Sequence, residues 1–216
     1  MEHYVSEQEQ IDQIKRWWNN NGRALLTGLV LGLGALAGYR YWDAQQTARA
    51  ENASLNYEMF VSLLGEQRTA DAESAGKGIV EGYPGTAYAR MSSLLLARLA
   101  VERGDYPAAV AHLDRVITDR DAGETAHLAR VRLAHILLAE GKTDEAAALV
   151  AQIPALAGIE RFPELRGDLL AAQGDVKAAR TRYLEALIAA ERLGIDQSPL
   201  ELKLDNLGVA GTGGRP

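Results

Sequence analysis

Residues 16–42 read RWWNNNGRALLTGLVLGLGALAGYRYW, and the architecture of the chain turns on what this run forms. Ala24 to Tyr39 carries no charge, and Arg40, Tyr41 and Trp42 extend the run to about 19 residues. As a helix rising ~1.5 Å per residue it spans roughly 28 Å, close to the hydrocarbon thickness of a bilayer. Trp17 and Trp18 stand before it, and Tyr39, Tyr41 and Trp42 after it, rings that favour the headgroup layer. Arg23 and Arg40 can carry their charges outward on aliphatic stems. These features predict a transmembrane helix over residues 24–42, after a short N-terminal segment over 1–23.

Three other readings of the run compete. Gly32-Leu33-Gly34-Ala35-Leu36-Ala37 satisfies the dinucleotide fingerprint, but that motif needs a strand before it and an acidic residue on the next strand. Ala35-Leu36-Ala37 also resembles a signal-peptidase site. Against cleavage, Glu2, Glu7, Glu9 and Asp12 cancel the positive charge a signal peptide carries ahead of its apolar stretch. A buried core helix would leave the aromatic and basic flanks without a purpose. Lys15, Arg16 and Arg23 before the span outweigh Arg40 and Arg49 at or beyond it, which predicts a cytoplasmic N-terminus and an exported body. Gly28 and Gly32, and again Gly34 and Gly38, put small residues on helix faces that another membrane helix could approach. Glycine is also simply common in membrane helices.

The rest of the chain reads as all-helical, because strand-like alternation is hard to find and alanine and leucine abound. A net charge of −6 argues against a nucleic-acid partner, and the lack of cysteine excludes disulfides and thiolate chemistry. Helical spacing continues from Asp43 to about Leu64, and a second amphipathic piece runs from about Asp71 to Val80 before the turn at Pro84-Gly85. A repeat then emerges. The stretches LLLARLAVERGDYPAAVAHLDRVI, VRLAHILLAEGKTDEAAALVAQI and LRGDLLAAQGDVKAARTRYLEALI each break at a glycine: Gly104, Gly141 and Gly174. The spacings of 37 and 33 residues bracket the ~34-residue period of a tetratricopeptide repeat.

Small residues recur in register. Alanine follows each glycine by five positions (Ala109, Ala146, Ala179), and Ala97, Ala134 or Gly167 precedes it by seven. Leu113, Val150 and Tyr183 share one place on the second helices, and Arg166 stands where the other repeats have Leu96 and Leu133. The pattern predicts helical hairpins stacked into a tetratricopeptide-like solenoid over 43–207, with a concave face. Carrying repeat positions over, that face receives Met91, Leu94, Arg98, Val101 and Glu102 from the first repeat and Leu128, Val131, His135, Leu138 and Ala139 from the second. The third contributes Arg161, Glu164, Asp168, Ala171 and Ala172. Such a groove suits a partner peptide or helix, unless the helices at 43–64 and 71–80 cover it as core. SPLELKLDNLGV reads as a capping helix with Leu200, Leu204 and Leu207 on one side, and 208–216 as a disordered tail.

Catalytic groupings are absent from the pattern. His127 and His135 lie eight residues apart rather than four, and His3 lies across the span from His112. No nucleophile elbow or phosphate loop occurs, and the expectation is a non-enzymatic protein without metal or cofactor.

The acidic N-terminus, QIKRWWNNNGRALLTGLVLGLGALAGYRYW, ASLNYEMF and the LRGDLLAAQGDVKAAR block together resemble the YfgM family over nearly the whole chain. The resemblance implies a single-pass protein of the bacterial inner membrane with its repeats in the periplasm, an ancillary subunit of the SecYEG translocon. It further implies association with PpiD, a membrane-anchored periplasmic chaperone, and help in passing exported chains to periplasmic chaperones. Read without the resemblance, anchor and repeats fit equally an envelope scaffold or assembly factor.

Overall fold

The computed structural model describes residues 7–153 and 162–212, which are helical with no strand among them. Among the described residues nine helices follow one another: α1 (Glu7–Gly65), α2 (Thr69–Gly82), α3 (Ala87–Glu102), α4 (Tyr106–Ile117), α5 (Glu124–Ala139), α6 (Thr143–Val150), α7 (Phe162–Ala172), α8 (Val176–Leu193) and α9 (Ser198–Thr212). The chain divides into two compact units, Met1–Glu51 and Asn52–Pro216.

The described part of the first unit is helix alone. Leu25, Leu29, Val30, Leu33 and Leu36 are all more than two-fifths exposed. The apolar run of α1 is therefore no part of a core in this chain, and by length and composition the helix is able to cross a membrane. The dinucleotide reading fails as well, because Gly32 to Ala37 lie within the helix and no strand precedes them among the described residues.

The second unit is a stack of hairpins. α2 packs on α3, α3 on α4, α4 on α5 and α5 on α6, and the series continues through α7 and α8 to α9. The hairpin turns share one chemistry. Gly104 takes φ +75°, its N–H donates to Val101 O at 2.9 Å, and the N–H of Asp105 donates to Ala100 O at 2.8 Å. This paired closure of a helix end demands a left-handed residue, which glycine adopts at little cost. Gly141 and Gly174 repeat it. Asp105 and Asp175 then open the next helix by accepting the N–H of Ala108 and Ala178 through their carboxylates.

A further hairpin, α1 into α2, escapes the glycine pattern. Its left-handed position is Gln67, at φ +59°, with the N–H of Arg68 donating to Leu63 O at 3.0 Å. Gln67 precedes Gly104 by 37 residues, and Ala72 follows it by five. Ala72, Ala109, Ala146 and Ala179 are all fully buried. A non-glycine residue in the left-handed region is strained by ~1–2 kcal/mol. Gln67→Gly should therefore raise the thermal midpoint by about 1–3 °C, once the greater freedom of glycine in the unfolded chain is subtracted; circular dichroism melting of both proteins in the same detergent checks this.

Helix crossings pair one small residue with one large. Ala97 faces the place of Leu113 and Ala134 that of Val150, and all four are buried in one core. In the last hairpin Gly167 meets the Tyr183 ring, where a Cβ would overlap it. In the first the order is inverted: Phe60 is the large partner, and a Cβ on Gly76 would lie 2.9 Å from its Cζ. Leu165 and Leu169 bury the inner side of α7, and Arg166 is half-buried. Leu200 and Leu207 seal the end of the stack against Ala179, Tyr183 and Ala186, with Leu204 partly buried beside them. α9 does not stop at Leu207 but continues to Thr212, so 208–212 are helical rather than tail. Residues 213–216 lie outside the described residues, as do Glu2 and His3.

Candidate partner-binding groove

α3, α4 and α5 enclose an open cavity of about 370 Å³. Val101 and Ala97 of α3, Tyr106 and Leu113 of α4, and Ile136 and Ala139 of α5 give it an apolar lining. Three basic side chains complete it: Arg98 from α3, and Arg132 and His135 from α5. Arg98 pairs through its Nε with Glu102 at 3.2 Å on the surface. Arg132 donates to the carbonyl of Leu94 at 3.2 Å. Burial, and then the positive charge of Arg98, push the Arg132 guanidinium below its usual pKa.

The residues of the first two repeats placed on the groove by register separate into four groups. Arg98, Val101, His135 and Ala139 line the cavity. Leu94 and Val131 are core residues, 7% and 4% exposed, and not groove residues. Leu128 and Leu138 are half-buried against that same core, whereas Met91 and Glu102 are exposed outside the cavity. Arg161 lies outside the described residues. Register missed Tyr106 and Leu113 because it confined the concave face to the first helix of each hairpin. It missed Arg132 although an arginine beside an apolar inner position was a readable sign.

Glu164 and Asp168, assigned to the third repeat, enter an ionic cluster instead. Lys203 of α9 donates to Glu164 at 2.9 Å and to Asp168 at 2.7 and 2.8 Å. The Tyr183 hydroxyl donates to Asp168 at 2.7 Å, and His135 Nδ1 lies 3.5 Å from the same carboxylate. Burial pushes the Tyr183 phenol up, reinforced by Asp168. Burial pulls Lys203 down, but its bonds to Asp168 and Glu164 outweigh this and leave it raised. The cluster joins α5, α7, α8 and α9, so its role is to fasten the last hairpin and cap. Ala171 is half-buried and Ala172 exposed. His127 Nδ1 sits 3.2 Å from Arg130, and His112 is pushed below its usual pKa by burial and then by Arg115. In α1, a Cβ on Gly28, Gly32, Gly34 or Gly38 would touch nothing.

Stacked helical hairpins with a groove on one side define the class of tetratricopeptide-like interaction domains. Residues 15–209 match the family described as tetratricopeptide repeat-like domain, and the chain belongs to that family. It is also similar, end to end, to proteins named ancillary SecYEG translocon subunit. The relative from Escherichia coli (strain K12) is 29% identical over 209 residues, 97% of this chain and 100% of its own length. That from Haemophilus influenzae is 29% identical over 208 residues, 96% and 100%. The Neisseria gonorrhoeae relative is 24% identical over 205 residues, 94% and 98%. No solved structure matches the chain.

Proposed function

We propose that this protein is a membrane-anchored, non-catalytic interaction module that works as an ancillary subunit of the SecYEG translocon. The observation that carries the reading is the full-length correspondence with relatives bearing that name, anchor and repeats together. The physical division of labour supports it: α1 exposes a bilayer-length apolar surface, and the hairpins offer an apolar cavity with a basic rim. Tethering a modest binding surface beside an export pore raises its effective concentration there, so a weak affinity suffices. In this reading the N-terminus is cytoplasmic, the hairpins stand in the periplasm, and a PpiD-type chaperone is a neighbour that receives exported chains.

The test is purification of the tagged protein from native membranes in mild detergent. Translocon subunits should be retained; their absence, with the protein itself intact and folded, refutes the assignment. Protease added to spheroplasts should remove the hairpins and spare the N-terminus, and protection of the hairpins reverses the topology. Gly28→Leu with Gly32→Leu should reduce the recovered translocon subunits at least twofold if that face of α1 packs on a membrane partner. Unchanged recovery makes the two glycines incidental.

A further inference from the structure

We infer that the cavity between α3, α4 and α5 receives a polypeptide segment in which a bulky apolar side chain stands next to an aspartate or glutamate. The apolar side chain enters the pocket, and the neighbouring carboxylate bridges Arg98 and Arg132. This deepens the proposed interaction role and rests on it.

Arg98 and Arg132 stand at one apolar cavity with like charge, close enough for the first to depress the ionisation of the second. Two cations that reach across helices have acids: Arg90 has Asp119 at 3.1 Å, and Lys203 has Glu164 and Asp168. Among the described residues Arg132 has only the neutral Leu94 carbonyl. Arg98 is held by Glu102 alone, in a pair whose side chains are both 57% exposed and easily exchanged. A carboxylate set between the two guanidinium groups would cancel their repulsion and accept charge-assisted hydrogen bonds from both. In a protein of net charge −6, this pair without a buried acid is a local reversal of sign.

The apolar half of the ligand follows from the lining. Val101 remains 39% exposed, and the surrounding Ala97, Leu113, Ile136 and Ala139 leave room rather than fill it. A ligand that offered only a carboxylate would leave that surface wet. Because the cavity is open to solvent, a chain can pass across it, which favours an internal segment over a chain end. The register of side chains is set by the site: the pocket and the two arginines are neighbours, so the apolar and acidic residues are adjacent in the peptide.

Full-length protein in dodecyl maltoside micelles is titrated into fluorescein-labelled, C-terminally amidated Gly/Ser peptides, followed by fluorescence anisotropy. One carries Phe-Glu, one Phe-Gln and one Ala-Glu. The Phe-Glu peptide should bind about tenfold more tightly than either control, the size expected for one set of charge-assisted bonds. Raising the salt from about 50 mM to about 500 mM should narrow the Glu/Gln difference. R132Q and R98Q should each erase it; if R132Q does not fold, R98Q decides, since Arg98 is a surface residue. Equal binding of Phe-Glu and Phe-Gln, no binding of any peptide, or an unchanged preference in the arginine variants overturns the inference. So does tighter binding of a peptide whose only carboxylate is its free C-terminus. Recovery of translocon subunits by a protein that shows no peptide preference defeats this inference alone; loss of that recovery in the wild type defeats the function it rests on.

Discussion

Gly167→Ala will destabilise the C-terminal hairpin by roughly 1–3 kcal/mol, the usual cost of overpacking a filled core. A Cβ built on Gly167 lies 2.5 Å from Tyr183 Cδ1. Tyr183 cannot swing aside cheaply, because it is 3% exposed and its hydroxyl is bonded to Asp168. Tyr183→Leu in the Gly167→Ala background recreates the alanine–leucine pairing of Ala97 and Leu113, so it should recover much of the loss. As a single change Tyr183→Leu should itself destabilise, by opening space and removing the hydroxyl that Asp168 accepts from. The coupling between the two substitutions should reach about 1 kcal/mol or more. Denaturation by urea, followed by far-ultraviolet circular dichroism, measures all four corners of this cycle. Simple additivity would show that the ring and the glycine do not share a space. Gly76→Ala should act in the same direction but more weakly, since Phe60 Cζ and Leu96 Cδ2 stand at 2.9 and 3.0 Å and side-chain ends can yield.

Lys203→Met carries the second large effect, a loss of roughly 2–4 kcal/mol at neutral pH. Glu164 and Asp168, 15% and 17% exposed at their side chains, would be left close together without their shared cation. The wild-type protein should also weaken in alkali. Lys203 and Tyr183 both have folded pKa values raised above their unfolded ones. Each contributes stability that is whole below an unfolded pKa of about 10 and is lost as pH climbs toward the folded value. Lys203→Met should flatten that alkaline limb. On the acid side the sign reverses. The Glu73 carboxyl, which accepts from Arg103 and then Lys77, is lowered from 4.5 to about 2. Its contribution is present above 4.5 and disappears as pH falls through about 2, so Glu73→Gln should flatten the acid limb. Thermal midpoints across the pH range test both; limbs that survive the substitutions would assign them to other groups.

How much was legible in the chain depended on how local the cause was. The glycine–aspartate turns at Gly104 and Gly174 announced themselves, because closing one helix and opening the next takes a left-handed residue and a short acceptor a single position apart. The hairpin of α1 and α2 stayed hidden for two reasons. Gln67 occupies the left-handed position, and Phe60 with Gly76 reverses the small-then-large order that the other repeats display. The groove was half readable. Arg98, Val101 and His135 line the cavity, yet Leu94 and Val131, one turn away, are swallowed by neighbouring helices. Residues 208–216 read as a tail, but α9 continues to Thr212, with Leu200 and Leu207 holding the helix on α8.

The linear order of residues was enough to determine a bilayer-length apolar helix, the hairpin period and the helix ends marked by glycine at Gly104, Gly141 and Gly174, because each depends on side chains within a few positions of one another. Tertiary structure alone decided that the first hairpin inverts the small and large partners, which inner positions sink into the core, and that Arg98 and Arg132 share a cavity without an acid between them. Those outcomes rest on how closely separate helices approach one another, and no spacing along the chain encodes such a distance.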